Sequence, residues 1–222
     1  EATEGCVIAM VNDARNTGVI VLLACETDFV AKNEAFVELA KSIATLALDN
    51  KPADLDALKA LSLNGVSVAD RLLDEVAKIG EKIDVTKYEL VEGANVVSYI
   101  HGSNRMGVLV SLTKEAAEAG KDVAMQIAAM NPLAIDPASI PAETVERERA
   151  IVVDQIKNDP KMAGKPEEMI AKIAEGKLNA FFKEQTLLAQ AFVKDGSKSV
   201  AEYLKSVGSD LKVTEFKRVA LG

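Results

Sequence analysis

The sequence has one histidine, two cysteines and no tryptophan, and these shortages exclude much chemistry before any motif is sought. His101 alone cannot build a multi-imidazole metal site, and Cys6 with Cys25 cannot complete a structural zinc site. Aromatic residues make up only 4 %, so Ala, Val, Ile and Leu must supply most of a core. No apolar run approaches the roughly 18 residues that span a bilayer. The opening Glu1-Ala2-Thr3-Glu4 lacks the basic start and apolar stretch of a signal peptide. Positive charge is scarce as well. The 26 Lys and Arg against 34 Asp and Glu leave a formal net charge of −8, which argues against broad contact with nucleic-acid phosphates. Direct binding to nucleic acid or membrane is therefore not expected; a protein or small-molecule partner is. Both cysteines lie in apolar, strand-like runs and read as buried thiols of a reducing compartment, not as a disulfide.

Motifs for covalent chemistry are equally thin. Gly102-Ser103-Asn104-Arg105-Met106-Gly107 has the glycine spacing of a phosphate loop, but Val108 and Leu109 stand where Lys and Ser/Thr are needed. The segment reads as a hairpin turn. A Cys25–His101 nucleophile–base pair has no local support, and carboxylate pairs such as Glu26 and Asp28 occur in any acidic protein. The chain is not expected to be an enzyme.

What is present is a regular α+β pattern. Gly5–Val11 and Gly18–Ala24 are short β-branched runs joined by the turn-rich Asn12–Thr17, a hairpin pattern. Asn33 caps a helix whose Phe36, Leu39, Ala40, Ile43 and Leu46 recur near the 3.6-residue period. A short helix over Ala53–Leu61 follows, then one from Ser67 to Gly80, with Ser as N-cap and Gly past the last turn. Ile83–Val91, Asn95–Ile100 and Met106–Leu112 are three further strands.

The second half repeats the first. Gly18-Val19-Ile20-Val21-x-Leu23 recurs as Gly107-Val108-Leu109-Val110-x-Leu112, shifted by 89 residues. Leu39-Ala40-x-x-Ile43-Ala44 recurs as Val123-Ala124-x-x-Ile127-Ala128, shifted by 84, and Ser67-Val68-Ala69 as Ser199-Val200-Ala201, shifted by 132. The stretch from Ile79-Gly80 to Tyr88 recurs from Val207-Gly208 to Phe216, shifted by 128. Four matches in one order point to duplication of an α+β unit, with a helix-capping role for both Gly80 and Gly208. The changing shifts locate the differences. Copy one carries extra residues around Glu26–Val30. Copy two carries an insertion over residues 141–185 that reads as two helices, Glu143–Ile156 and Lys165–Phe182, joined by a turn at Asn158-Asp159-Pro160…Gly164. The expected architecture is two related subdomains, each an antiparallel sheet with helices: residues 1–92, and residues 93–140 with 186–222. The hairpin of residues 141–185 is expected to project as a coiled-coil arm.

Cys25-Glu26-Thr27-Asp28-Phe29-Val30-Ala31-Lys32 closely resembles the Thr-Asp-Phe-Val motif of the elongation factor Ts family. Further resemblances follow in that family's order: Ile79-Gly80-Glu81, then Ser98-Tyr99-Ile100-His101-Gly102 with Gly107-Val108-Leu109-Val110. Gly164-Lys165-Pro166 and Ala191-Phe192-Val193 before Ser197-Lys198-Ser199-Val200 complete the set. The family's small N-terminal helical domain has no match here, so the chain, which also lacks an initiator Met, is expected to be a processed or partial form comprising the core.

The resemblance implies a guanine-nucleotide exchange factor, with no cofactor of its own, that binds GDP-loaded elongation factor Tu and promotes GDP release. A bacterial cytoplasm is the implied setting, an organelle the other, and self-association into a homodimer is possible within the family. It implies partner-binding roles for Thr27, Asp28, Phe29, Val30, Ile79, Gly80, His101, Val193 and Lys194. Phe29 is the wedge beside the partner's magnesium and phosphate-binding elements, and Asp28 makes a polar contact there. Spacing alone gives Phe29 a different place, in the core beneath the following helix. His101 is equally well placed for a structural role at a turn. The alternative from another class is an oligomeric adaptor that binds proteins through its arm and sheets and alters no nucleotide.

Overall fold

The computed structural model describes all 222 residues. The first β-branched runs form strands β1 (Glu4–Val11) and β2 (Thr17–Cys25), paired antiparallel with Gly5 opposite Ala24 and Val11 opposite Gly18. Their turn is closed by Asn12, whose side-chain oxygen accepts from the Asn16 and Thr17 amides at 3.1 Å. Helices α1 (Asp28–Lys32), α2 (Glu34–Asn50) and α3 (Leu55–Ala60) come next. The two-residue strands β3 (Ser62–Leu63) and β4 (Val66–Ser67), helix α4 (Val68–Ile79) and strand β5 (Asp84–Glu92) complete the first series. The second series opens with β6 (Asn95–His101), β7 (Met106–Leu112) and α5 (Ala117–Met130). It continues with α6 (Ala142–Lys157), α7 (Glu167–Gln185), β8 (Ala191–Phe192), β9 (Asp195–Ser199), α8 (Val200–Val207) and β10 (Val213–Ala220).

The caps read in the sequence are where chemistry puts them. The Asn33 side chain accepts from the Ala35 and Phe36 amides, that of Ser67 from Asp70, and Ser199 and Glu202 form a reciprocal capping box. Gly80 and Gly208 both cap their helices, in different backbone conformations. Gly80 ends α4 in the left-handed region (φ 82°), whereas Gly208 leaves α8 extended (φ −167°). Both amides close on the preceding turn, but only Gly80 needs a glycine's freedom there.

Two three-stranded antiparallel sheets, ordered β1-β2-β5 and β10-β7-β6, reproduce the repeat. Each begins with a hairpin whose second strand is central, and each receives its third strand after a Ser-capped helix. Gly18–Leu23 and Gly107–Leu112 are thus equivalent central-strand segments. Their leading glycines share a cause. A Cβ on Gly18 would lie 2.8 Å from Leu109 and 2.9 Å from Val96, and one on Gly107 would lie 3.0 Å from Val7. Each glycine lets its sheet approach the other.

The chain divides into two compact units, residues 1–129 with 210–222, and residues 130–209. Within the first unit the two sheets share one apolar layer. Val7, Ile20, Leu22 and Ala24 of the first sheet pack with Val96, Leu109 and Val219 of the second. The opposite face of the first sheet, with Cys6, Val19, Val21 and Leu23, is covered by Phe36, Leu39, Ala40 and Ile43 of α2. On the far side of the second sheet, Gly120 of α5 backs onto Val97 and Leu112. With cover on both faces, all nine residues of β2 are buried.

The unit of residues 130–209 contains α6 and α7. α6 and α7 turn back on each other around Val152, Ile156, Ile170, Ala174 and Leu178, and Arg149 pairs with Glu175 across them. At the base, Leu187 and Leu188 amides donate to Ala134 and Ile135 carbonyls at 2.9 and 3.0 Å, drawing the hairpin's ends together. The β8–β9 ribbon leads into α8, and Phe192 stacks on Tyr203 with ring centroids 4.1 Å apart.

Candidate partner-binding site

At the end of β2 the chain leaves a fully buried strand and enters an exposed turn. Thr27 caps α1, its hydroxyl accepting from the Val30 amide. Asn33 ends this five-residue helix and at once begins α2. So short a helix buries none of its residues; Val30 and Ala31 lean against the core, and Phe29 on the other side is 86 % exposed. Phe29 is therefore not the core residue that the sequence alone suggests, whereas Phe36, on the core face of α2, is 3 % exposed. Asp28 and Lys32 make a solvent-exposed pair at 3.7 Å, of little energetic weight.

The turn is held from the side by the end of α4. Glu81 presents its carboxylate to the Glu26 and Thr27 amides, with Oε1 at 3.0 and 3.1 Å, and the Thr27 hydroxyl donates to its Oε2 at 3.1 Å. In return, the Lys82 amide donates to Glu26 Oε2 at 2.8 Å. Ile79, 39 % exposed, and Gly80 form the tip just before Glu81. Thr27, Asp28, Phe29, Val30, Ile79 and Gly80 are therefore one local surface, joined by two carboxylates that sequence reasoning did not place in the site. Glu81 stands in the quoted Ile-Gly-Glu motif, the sole local signal. Nothing in spacing pairs it with residues 54 and 55 positions away.

His101 closes β6 and is exposed, its Nδ1 3.0 Å from the Tyr99 hydroxyl. The following Gly102, Ser103 and Asn104 all have positive φ, the geometry of a tight hairpin turn. The Asn104 carbonyl accepts from the Val7 amide at 2.8 Å, and Arg105 lies 3.5 Å from Glu4. Glu4 faces Cys25 in the β1–β2 register, so this tip sits at the same end of the first sheet as the Thr27–Val30 turn. Val193 and Lys194 form the exposed tip between β8 and β9, in the unit of residues 130–209, and Val193 is 55 % exposed.

The Cys25 thiol is buried, donates to the Thr27 carbonyl at 3.3 Å, and is pushed up to about 11 by burial, with the nearby Glu81 charge adding to the rise. Cys6 is likewise pushed up to about 11 by burial. No helix is long and apolar enough to cross a membrane.

The family profile for elongation factor TS matches residues 26–222, a span that begins at the turn bearing Phe29. The chain belongs to the elongation factor Ts family. It is 46 % identical over 226 residues to the elongation factor Ts of Amoebophilus asiaticus, covering all of this chain and 80 % of that relative. The Flavobacterium psychrophilum protein of the same name is 45 % identical over 227 residues, and that of a Hydrogenobaculum species 41 % over 228, with the same coverage. Membership in the elongation factor Ts family places the chain in protein biosynthesis, as a nucleotide-exchange factor of translation elongation.

Proposed function

We propose that this protein binds GDP-loaded elongation factor Tu in the bacterial cytoplasm and speeds GDP release by seating Asp28 and Phe29 beside the partner's magnesium and phosphate-binding elements. No covalent chemistry is involved; the effect is thermodynamic linkage. A factor that prefers the nucleotide-free partner must weaken nucleotide binding by the same ratio. Weakening it about 10⁴-fold takes about 5.5 kcal/mol of differential binding. Burial of one Phe side chain contributes about 1.5–3 kcal/mol. Phe29 therefore acts together with Thr27, Val30, Ile79, Gly80 and His101, while Val193 and Lys194, in the unit of residues 130–209, make partner contacts of their own.

The observation that carries this reading is Phe29 itself, 86 % exposed at the end of a turn braced by hydrogen bonds. An exposed aromatic side chain marks a protein-binding surface, and nucleotide release distinguishes exchange from simple adaptor binding. The test is release of fluorescent GDP from elongation factor Tu, followed by stopped flow against rising concentrations of the chain. Saturable acceleration is expected. Binding to elongation factor Tu with an unchanged release rate would favour the adaptor.

A further inference from the structure

We infer that Glu81 is a positioning residue for exchange, latching the Phe29 turn to the Gly80 tip so that both meet the partner as one preformed surface; this rests on the reading of Phe29 as the wedge. Residues flanking a surface wedge are normally free to move, and a five-residue helix is far below the length that is stable alone. Here charge-assisted hydrogen bonds hold the residues before Asp28, in addition to the partial packing of Val30 and Ala31 on the core. The Glu81 carboxylate takes the Glu26 and Thr27 amides and the Thr27 hydroxyl, while Glu26 takes the Lys82 amide. The two carboxylates thus reach in opposite directions across the same gap. Bonds of this kind are roughly twice as strong as neutral ones. The latch engages the residues immediately before Asp28, and the cap that starts α1 is the same Thr27 hydroxyl that donates to Glu81.

Its benefit is preorganisation. If the turn samples many orientations, apparent affinity falls by the fraction of time the docking conformer is populated. With Glu81→Ala, the concentration giving half-maximal GDP release should rise about tenfold, equivalent to about 1.4 kcal/mol. The rate at saturation should stay within about twofold, because a seated wedge is unchanged. Glu81→Gln keeps an acceptor oxygen for the two amides and should recover most of the loss.

Two measurements separate this role from general stabilisation. Amide hydrogen exchange of the free protein should show Glu26 and Thr27 exchanging at least tenfold faster in Glu81→Ala, with the β2 core amides unaffected. In a double-mutant cycle, Glu81→Ala added to Phe29→Ala should shift half-saturation by less than about twofold, since the latch acts through Phe29. Unchanged protection at Glu26 and Thr27, or a fully additive cycle, overturns the latch. If Phe29→Ala alone releases GDP as fast as the parent, the wedge reading fails and this inference with it, whereas amide exchange still reports on the latch by itself.

Discussion

Phe29→Ala is the substitution on which the proposed mechanism stands. The side chain is 86 % exposed in the free protein, so its removal leaves no cavity, and the stability change should stay within about 1 kcal/mol. On the partner, the lost burial of about 1.5–3 kcal/mol corresponds to a one- to two-decade loss in stimulated GDP release at about 1.4 kcal/mol per decade. Phe36 supplies the internal control. It lies seven residues on, is 3 % exposed beneath the first sheet, and its change to Ala should cost about 3–5 kcal/mol of stability through the cavity left behind. Urea melting and stopped-flow release on the same preparations give both numbers. The two residues should behave oppositely: one quiet in melting and loud in release, the other the reverse. A several-kcal/mol loss for Phe29→Ala, with normal release by the folded fraction, would refute the wedge.

Three further outcomes follow from the fold. Replacing Pro141–Gln185 by a short linker should preserve a cooperative thermal transition, because the hairpin's apolar cluster is made wholly of its own residues and its base is drawn together at Ala134 and Leu187; loss of cooperative melting would assign the hairpin to the core. Gly18→Ala should destabilise by about 1–3 kcal/mol, measured by urea midpoint, because its Cβ would press on Leu109 and Val96 between the sheets. Stability should fall between about pH 9 and about pH 11, because Cys6 and Cys25 ionise near 9 when unfolded and near 11 when folded. With folded values raised, the unfolded chain sheds its protons first; the stabilisation is complete below pH 9 and drains away through pH 11. Replacing both cysteines by Ala should flatten that slope in a pH series of urea midpoints, apart from the loss due to Tyr88, which burial pushes up to about 12.

Most of the fold is local chemistry and was legible in the residues. Asn33 and Ser67 announce helix starts because their side chains bond amides two and three positions on. The glycine-led central strands announce themselves by recurrence. What escaped depends on distant partners. The two sheets share a layer built by Ile20, Leu22, Val96 and Leu109, and no repeat unit records what its inner face will meet. The two-residue strands β3, β4 and β8 are too short for a periodicity, and the polar five-residue β9 shows none. Gly208 matches Gly80 in sequence and departs from it in backbone, because the residues after a helix decide its exit. The site shows the same limit more sharply. The motif supplies Thr27–Val30 and Ile79-Gly80, but the Glu81–Glu26 latch spans more than fifty residues and has no pattern of its own.

The duplication also explains why only one copy presents an exposed Phe at this junction. Both copies need a junction from central strand to first helix, and copy two makes it with residues 113–116 between β7 and α5. Copy one reaches α2 through the longer path that contains α1. The surplus lies outside the layers that hold the sheets together: α1 buries none of its residues, while the covering contacts are made by Phe36, Leu39, Ala40 and Ile43 of α2. A segment held by a cap and two carboxylates adds little to folding, so its apolar tip can remain in water until a partner covers it. An exposed Phe is unfavourable in the free protein and gains only on burial. Only the part of that gain realised on the nucleotide-free partner and not on the GDP-bound one weakens nucleotide binding.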